Sequence, residues 1–278
     1  MRALILLLLL WPLPVHAGTA EALAREHGTG SIRSGNRAWS AAELKILDAS
    51  LSVLHPREKR ALQGVDFVRL RRSPRPRGAG LHKVDGSGPR ILIYDRAFAG
   101  PGKGSSRSPN RTIVHEVGHA LAHWKARRAL AQANRQVDSA NAAVNTYNAE
   151  VRRYNAAVRR FNRSQRDADK RALDRLRESV GAMGSDLERK RTAALRGKRV
   201  VQQTARLTRP PFVRLGVLAE YRKELRGRLG PTPYGRRNLS ESFAESFSLH
   251  HCDPKALKAV LPRVQTWFQE DRHHKAME

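Results

Sequence analysis

Thr112-Ile-Val-His-Glu-Val-Gly-His-Ala-Leu121 is the stretch on which the reading of this chain turns. His115 and His119 stand four residues apart. On a helix, positions i and i+4 share a face, so both imidazoles can reach one zinc ion. Glu116, next to the first histidine, then points at the remaining water-filled coordination position, where a carboxylate can serve as general base. The short pattern arises by chance in many sequences. Here no charged residue interrupts its immediate flanks and an apolar strand precedes it, an environment that an exposed helix carrying two histidines does not need.

A zinc ion with an open position requires a third protein ligand. The extended form of the motif fails, because Ala122 and Lys125 stand where a glycine and a third histidine would be. His123 continues the row but lies one turn further along. The remaining candidates are Glu241 and Glu245, in Glu241-Ser-Phe-Ala-Glu245. Both project from one helix face, and spacing alone does not choose between them.

Outward from the motif, Ser40-Ala-Ala-Glu43 reads as a capping box followed by Leu44, Leu47, Leu51 and Leu54 at helical spacing, which predicts a helix over 41–54 that stops near Pro56. Phe67–Leu70 reads as a short strand, 71–88 as a Pro/Gly/Arg loop, and Ile91–Tyr94 as a second, more buried strand. Beyond Pro210-Pro211, residues 212–229 and 240–250 read as helices joined by a turn-rich loop, and 257–268 as a closing helix.

The composition bounds the class. The 278 residues hold 53 Lys+Arg against 25 Asp+Glu, a net charge of +28, with a mean hydropathy of −0.58. This excludes a polytopic membrane protein and an acidic disordered chain. One cysteine excludes an intrachain disulfide framework and any paired-cysteine zinc site. Met1-Arg2, the apolar run to Trp11 and the closing Val15-His16-Ala17 read as a signal peptide over 1–17, cut after Ala17. The run is shorter than the about 20 residues that span a bilayer. The mature chain is therefore expected to be secreted or periplasmic, with no transmembrane segment. In that setting Cys252 is expected to be a buried, inert thiol. The pairs His250-His251 and His273-His274 are expected at the surface, without a role.

Between Lys125 and Pro210 the composition shifts. Val137, Ala140, Val144, Tyr147, Val151, Tyr154, Val158 and Phe161 alternate at spacings of three and four, and Leu173, Leu176, Val180, Met183 and Leu187 resume the rhythm. This is a coiled-coil pattern. It must begin and end at the globular body, so it predicts an antiparallel helical hairpin inserted over 125–210, its tip near 164–169. Arms of about 40 residues reach about 60 Å. Gly181 and Gly184 are expected to mark a break in the second arm, with the true turn of the hairpin as the alternative. The segment carries 22 Lys+Arg against 8 Asp+Glu. That charge suits an anionic surface as partner, or simply a solvated coiled-coil exterior. The aromatics Tyr147, Tyr154 and Phe161 fall on the seam, which argues against a dedicated nucleic-acid site.

The strand Ile91–Asp95, His115-Glu-Val-Gly-His119, Tyr234-Gly235-Arg-Arg-Asn238 and Glu241-Ser-Phe-Ala-Glu245 together resemble the catalytic domain of anthrax lethal factor and the Pro-Pro endopeptidases. The resemblance covers about 40–124 and 212–270 and omits the helical insertion, which is where the chain departs from the family. It implies an α+β, zincin-like catalytic domain over 18–124 and 211–278, with a small sheet and a zinc helix, interrupted by the hairpin. It also implies one zinc ion per chain on His115, His119 and Glu241, with Glu116 as general base. Tyr234 would donate a hydrogen bond to the oxyanion or leaving group, and Glu245 would be the carboxylate that orients a ligand imidazole.

The resulting expectation is a zinc metalloendopeptidase acting on a protein or peptide substrate, with Ile91–Tyr94 as the sheet edge that holds an extended peptide. The alternative is a basic anion-binding or toxin-delivery module whose zinc site is structural or vestigial. A structural site has no use for the glutamate beside His115.

Overall fold

The computed structural model describes residues 19–75, 78–85, 88–99, 108–207 and 216–277. The segment read as a signal peptide and the Pro210-Pro211 stop lie outside the described residues. In chain order the elements are α1 (Ala20–His27), β1 (Ile32–Ser34), α2 (Ala41–Ser52), α3 (Pro56–Arg60), β2 (Asp66–Leu70), β3 (Gly80–Asp85) and β4 (Gly88–Tyr94). There follow α4 (Pro109–Ala122), α5 (Trp124–Ser164), α6 (Asp167–Leu207), α7 (Gly216–Leu225), α8 (Leu239–Cys252), α9 (Pro254–Val260), α10 (Pro262–Gln269) and α11 (Arg272–Met277). The fold is mixed α+β, dominated by helix with one small sheet. No described helix is long and apolar enough to cross a membrane.

Backbone contacts divide the chain into two units, one of residues up to Ala120 with Ala244–Ala259, the other of Leu121–Phe243 with Val260–Glu278. The divisions fall inside α4 and α8, each of which is one continuous helix.

The first unit holds the sheet, in the order β1-β2-β4-β3. β1, β2 and β4 run parallel, and β3 pairs antiparallel with β4. Ile91–Tyr94 is therefore not an edge: β4 is bonded on both sides, and β3 is the outer strand on that side among the described residues. The Pro/Gly/Arg composition of 71–88 conceals β3. Its six residues, Gly80-Leu-His-Lys-Val-Asp85, gain their ladder from β4, with Gly88 at φ 91° closing the hairpin. Phe67, Ile91 and Ile93 are fully buried, with Leu47 and Leu51 of α2 and Ile113, Val114 and Val117 of α4.

The capping box of α2 forms in both directions, Glu43 N to Ser40 Oγ at 3.2 Å and Ser40 N to Glu43 Oε2 at 3.0 Å. Glu43 also binds the buried Arg69 of β2 at 2.7 Å, and the Arg69 guanidinium lies over Phe98 at 4.8 Å. Burial works against ionised Glu43, but the hydrogen bond and charge of Arg69 hold its pKa below the ordinary value. Cys252, expected inside, is exposed at the end of α8, where the helix ends and Pro254 restarts the chain in α9.

In the second unit α5 and α6 form an antiparallel hairpin. Gln165, in the left-handed conformation at φ 52°, turns the chain after α5. Ser179 Oγ donates to Glu150 at 3.1 Å, and a Cβ at Gly184 would lie 3.7 Å from Tyr147. α6 is unbroken through Gly181 and Gly184. Close packing between the arms is found instead at Gly197, where an added Cβ would lie 3.2 Å from the Cα of Ala133. Around α7 and α10, Tyr221, Phe243, Trp267 and Phe268 make an aromatic core, with Tyr221 and Phe243 edge-to-face at 5.4 Å. The closing segment is three short helices, because Pro262 ends one and starts the next. His273 and His274 are buried, contrary to the surface expectation, and the His273 ring lies 5.1 Å from Phe268. The rings of Trp267, Phe268 and His274 pack against that imidazole.

Candidate metal centre

α4 presents the two histidines of the opening motif. Ser108 caps the helix, accepting Arg111 N on Oγ at 3.3 Å and Thr112 N on its carbonyl at 3.0 Å. Ile113, Val114, Val117, Ala120 and Leu121 sink into the protein, which leaves His115 and His119 on a neighbouring stripe. The two imidazoles stand nearly perpendicular at 87°, with ring centroids 4.8 Å apart.

α8 begins at a cap of its own. Asn238 is extended, its Oδ1 accepts Glu241 N at 2.9 Å, and its carbonyl accepts Ser242 N at 2.9 Å. The cap fixes Glu241 in the first turn, half-buried, and Glu245 one turn deeper, with no exposure at all. One donor atom from each of His115, His119 and Glu241 lies within 4.8 Å of the others. Glu245 occupies a different place: its Oε1 lies 3.2 Å from His115 Nδ1, and its Oε2 accepts Arg111 Nη2 at 3.0 Å. A carboxylate beside Nδ1 favours the tautomer protonated there, which leaves the Nε2 lone pair for a metal. Tyr234 Oη donates to Glu241 Oε1 at 3.3 Å, and the Arg237 guanidinium lies 4.5 Å over the Tyr234 ring.

Gly118 explains how the helices approach so closely. A Cβ built there would lie 2.9 Å from Ala244 Cα and 3.3 Å from Ala244 Cβ, closer than side chains tolerate. Gly118→Val should therefore force α4 and α8 apart, costing about 1–3 kcal/mol as overpacking does, and should weaken metal retention at the same time. Thermal melting and zinc content of the purified variant check this. Native values for both would mean that the crossing does not need glycine.

Glu116 faces β3. Its Oε2 accepts the backbone N–H of His82 at 2.7 Å, and a Cβ at Gly80 would fall 2.6 Å from Glu116 Cγ. The absent side chain at Gly80 is what lets strand and carboxylate meet. Tyr94, buried at the end of β4, has its pKa raised, first by burial and then by the negative charge of Glu116. Its hydroxyl stays protonated beside that carboxylate.

Two imidazole nitrogens and one carboxylate oxygen are a donor set that suits zinc with one coordination position left open. The carboxylate behind His115 meets the further requirement of an oriented ligand. No family model, curated protein or solved structure matches the chain.

Spacing left Glu241 and Glu245 equivalent; the structure gives them different neighbours. Glu241→Ala should therefore weaken zinc binding more than Glu245→Ala, for which about 10–100-fold is expected from loss of the carboxylate beside a ligand imidazole. Competition with a chromogenic chelator measures both, and the reverse order would exchange their roles. Arg111, Gly80 and His82 could not be found from sequence, because each acts through an element whose place in space sets its meaning. Gly118 was in plain view inside the motif.

Proposed function

We propose that this protein is a zinc-dependent endopeptidase that acts outside the cytoplasm. The observation that carries the proposal is the convergence of His115, His119 and Glu241, with the Glu116 carboxylate on the adjoining turn of α4 and directed at β3. The likeness of the motifs to anthrax lethal factor and the Pro-Pro endopeptidases supports the same reading, and the basic, apolar, small-residue pattern of 1–17 supports export.

Zinc held by these three residues would supply Lewis acidity for the scissile carbonyl and acidify a water. Glu116 takes the proton from the attacking water and returns it to the leaving amine. The hydrogen bond from His82 N holds one oxygen of that carboxylate at β3. Tyr234, whose hydroxyl donates to Glu241 at 3.3 Å, would donate to the oxyanion that develops on the substrate. Glu245 and Arg111 hold the His115 ring in its ligating orientation.

The substrate reading follows from β3. The His82 N–H points off the side of β3 that β4 does not use, so an extended peptide adding to that edge would pass beside Glu116. The test is cleavage of a mixed peptide library by the full chain, abolished by 1,10-phenanthroline and restored by zinc. An intact library in the presence of stoichiometric bound zinc would overturn the proposal.

A further inference from the structure

From Asn134 to Asn162 the helix α5 repeats a seven-residue unit. Asparagine stands at 134, 141, 148, 155 and 162, valine at 137, 144, 151 and 158, and alanine or an aromatic at 140, 147, 154 and 161. The hairpin accounts for the last of these rows. α6 lies over Ala133, Ala140, Tyr147, Tyr154 and Phe161 and over the row Gln136, Ala143, Glu150 and Ala157, all of them buried or half-buried. Gly197 against Ala133, Gly184 against Tyr147 and Ser179 against Glu150 fix that register.

The valines do not lie where their spacing suggested, at the centre of the seam. On α6, Gly197 lies against Ala133 and Gln136 and Ser179 bonds Glu150, so the seam runs over these two rows and leaves the valine row on its flank. Val137 is 40% exposed and Val144 39%, while Val151 and Val158 are half-buried. Each valine follows an asparagine by three residues, and all five asparagines are exposed. Residues three and four apart are neighbours on a helix surface. The flank is therefore an apolar row bordered by an amide row, and Arg152 and Arg159, four residues beyond Asn148 and Asn155, are exposed at its outer rim.

A two-helix hairpin uses two rows, and α5 carries this third one. A solvated flank needs neither a valine nor an asparagine in every heptad. A lipid surface or a polyanion has no repeat of about 10.5 Å along its length to match the heptad, whereas a helix does. A second copy of this chain would bring another hairpin with 22 Lys+Arg against 8 Asp+Glu, and the two would repel. We propose that the Val137–Val158 flank of α5 docks an amphipathic helix of another protein, one with acidic residues beside its apolar seam, as a third strand of a coiled coil. The valines would fill the partner's holes, the asparagines would line the rim, and Arg152 and Arg159 would meet the partner's carboxylates.

The probe is a labelled synthetic helix of about four heptads, with leucine at its core positions and glutamate flanking them, so that it repels itself. A second peptide has the same composition in an order without heptads. Both are titrated by fluorescence anisotropy against the full chain at physiological salt. The heptad peptide should bind at least about tenfold more tightly than the permuted one. Val144→Asn/Val151→Asn should remove that difference while circular dichroism and zinc content stay native. If that variant loses helicity, Arg152→Glu/Arg159→Glu decides instead: it should lose the glutamate peptide and gain a lysine counterpart. Equal binding of the two peptides would mean that charge alone is read, and no binding would mean that no helix docks; either overturns the proposal. So would self-association of the native chain that the valine variant abolishes, or capture by phosphatidylglycerol vesicles that is tighter than peptide binding and indifferent to the valines.

Discussion

Glu116→Gln should lower peptide hydrolysis by about 10²–10⁴-fold, the usual contribution of a positioned general base, with zinc content and melting temperature near native. Glutamine has the shape of the glutamate and keeps an oxygen that can accept the His82 N–H, now bonded at 2.7 Å, so the contact of α4 with β3 survives. Glu116 is not one of the three converging donors, so the metal should remain. Only proton transfer is removed. Steady-state turnover of a library-derived peptide, read beside metal analysis of the same sample, separates the two effects. Cleavage at the native rate would exclude Glu116 as the base, and loss of zinc would make it a ligand.

His115→Ala/His119→Ala should abolish stoichiometric zinc and, with it, all turnover. The pair supplies two of the three donors, so the loss in affinity should exceed the about 10–100-fold that an outer-shell change produces. A second readout follows from linkage. A ligand that binds only the folded chain stabilises it by about 2.7 kcal/mol at a hundred times its dissociation constant. Added zinc should therefore raise the melting temperature of the native chain and leave that of the double variant unmoved. His115 is only 2% exposed, so its replacement also opens a void, and melting of the metal-free native protein is the proper reference. Stoichiometric zinc in the double variant would place the ion elsewhere.

What the sequence disclosed depended on how local the signal was. The α2 cap, the pairing of His115 with His119 on one turn and the long helices were legible because each follows from residues within a turn or a heptad of one another. β3 was hidden because a strand read from 71–88 competes with prolines and glycines, and its reason to exist is the neighbouring β4. The edge consequently moved from Ile91–Tyr94 to Gly80–Asp85. The valine row lies off the seam because period alone does not say which of two adjacent stripes the partner helix covers; Gly197 against Ala133 and Gln136, and Ser179 on Glu150, mark the stripe that α6 takes. Glu241 and Glu245 share a face, and only the position of α4, set by Gly118 against Ala244, distinguishes them. His273 and His274 show the converse failure. Their charge-capable side chains suggest the surface, but Trp267 and Phe268 pack on the His273 ring, and His274 is buried beside it.

The most direct test of the account is crystallography of the zinc-loaded full chain with anomalous data on both sides of the zinc edge. The expected result is one peak at about 2.0–2.2 Å from a nitrogen of His115, a nitrogen of His119 and a carboxylate oxygen of Glu241, with the remaining position open toward Glu116. A peak held by four protein side chains would make the site structural, and a peak away from His115 and His119 would contradict the account outright.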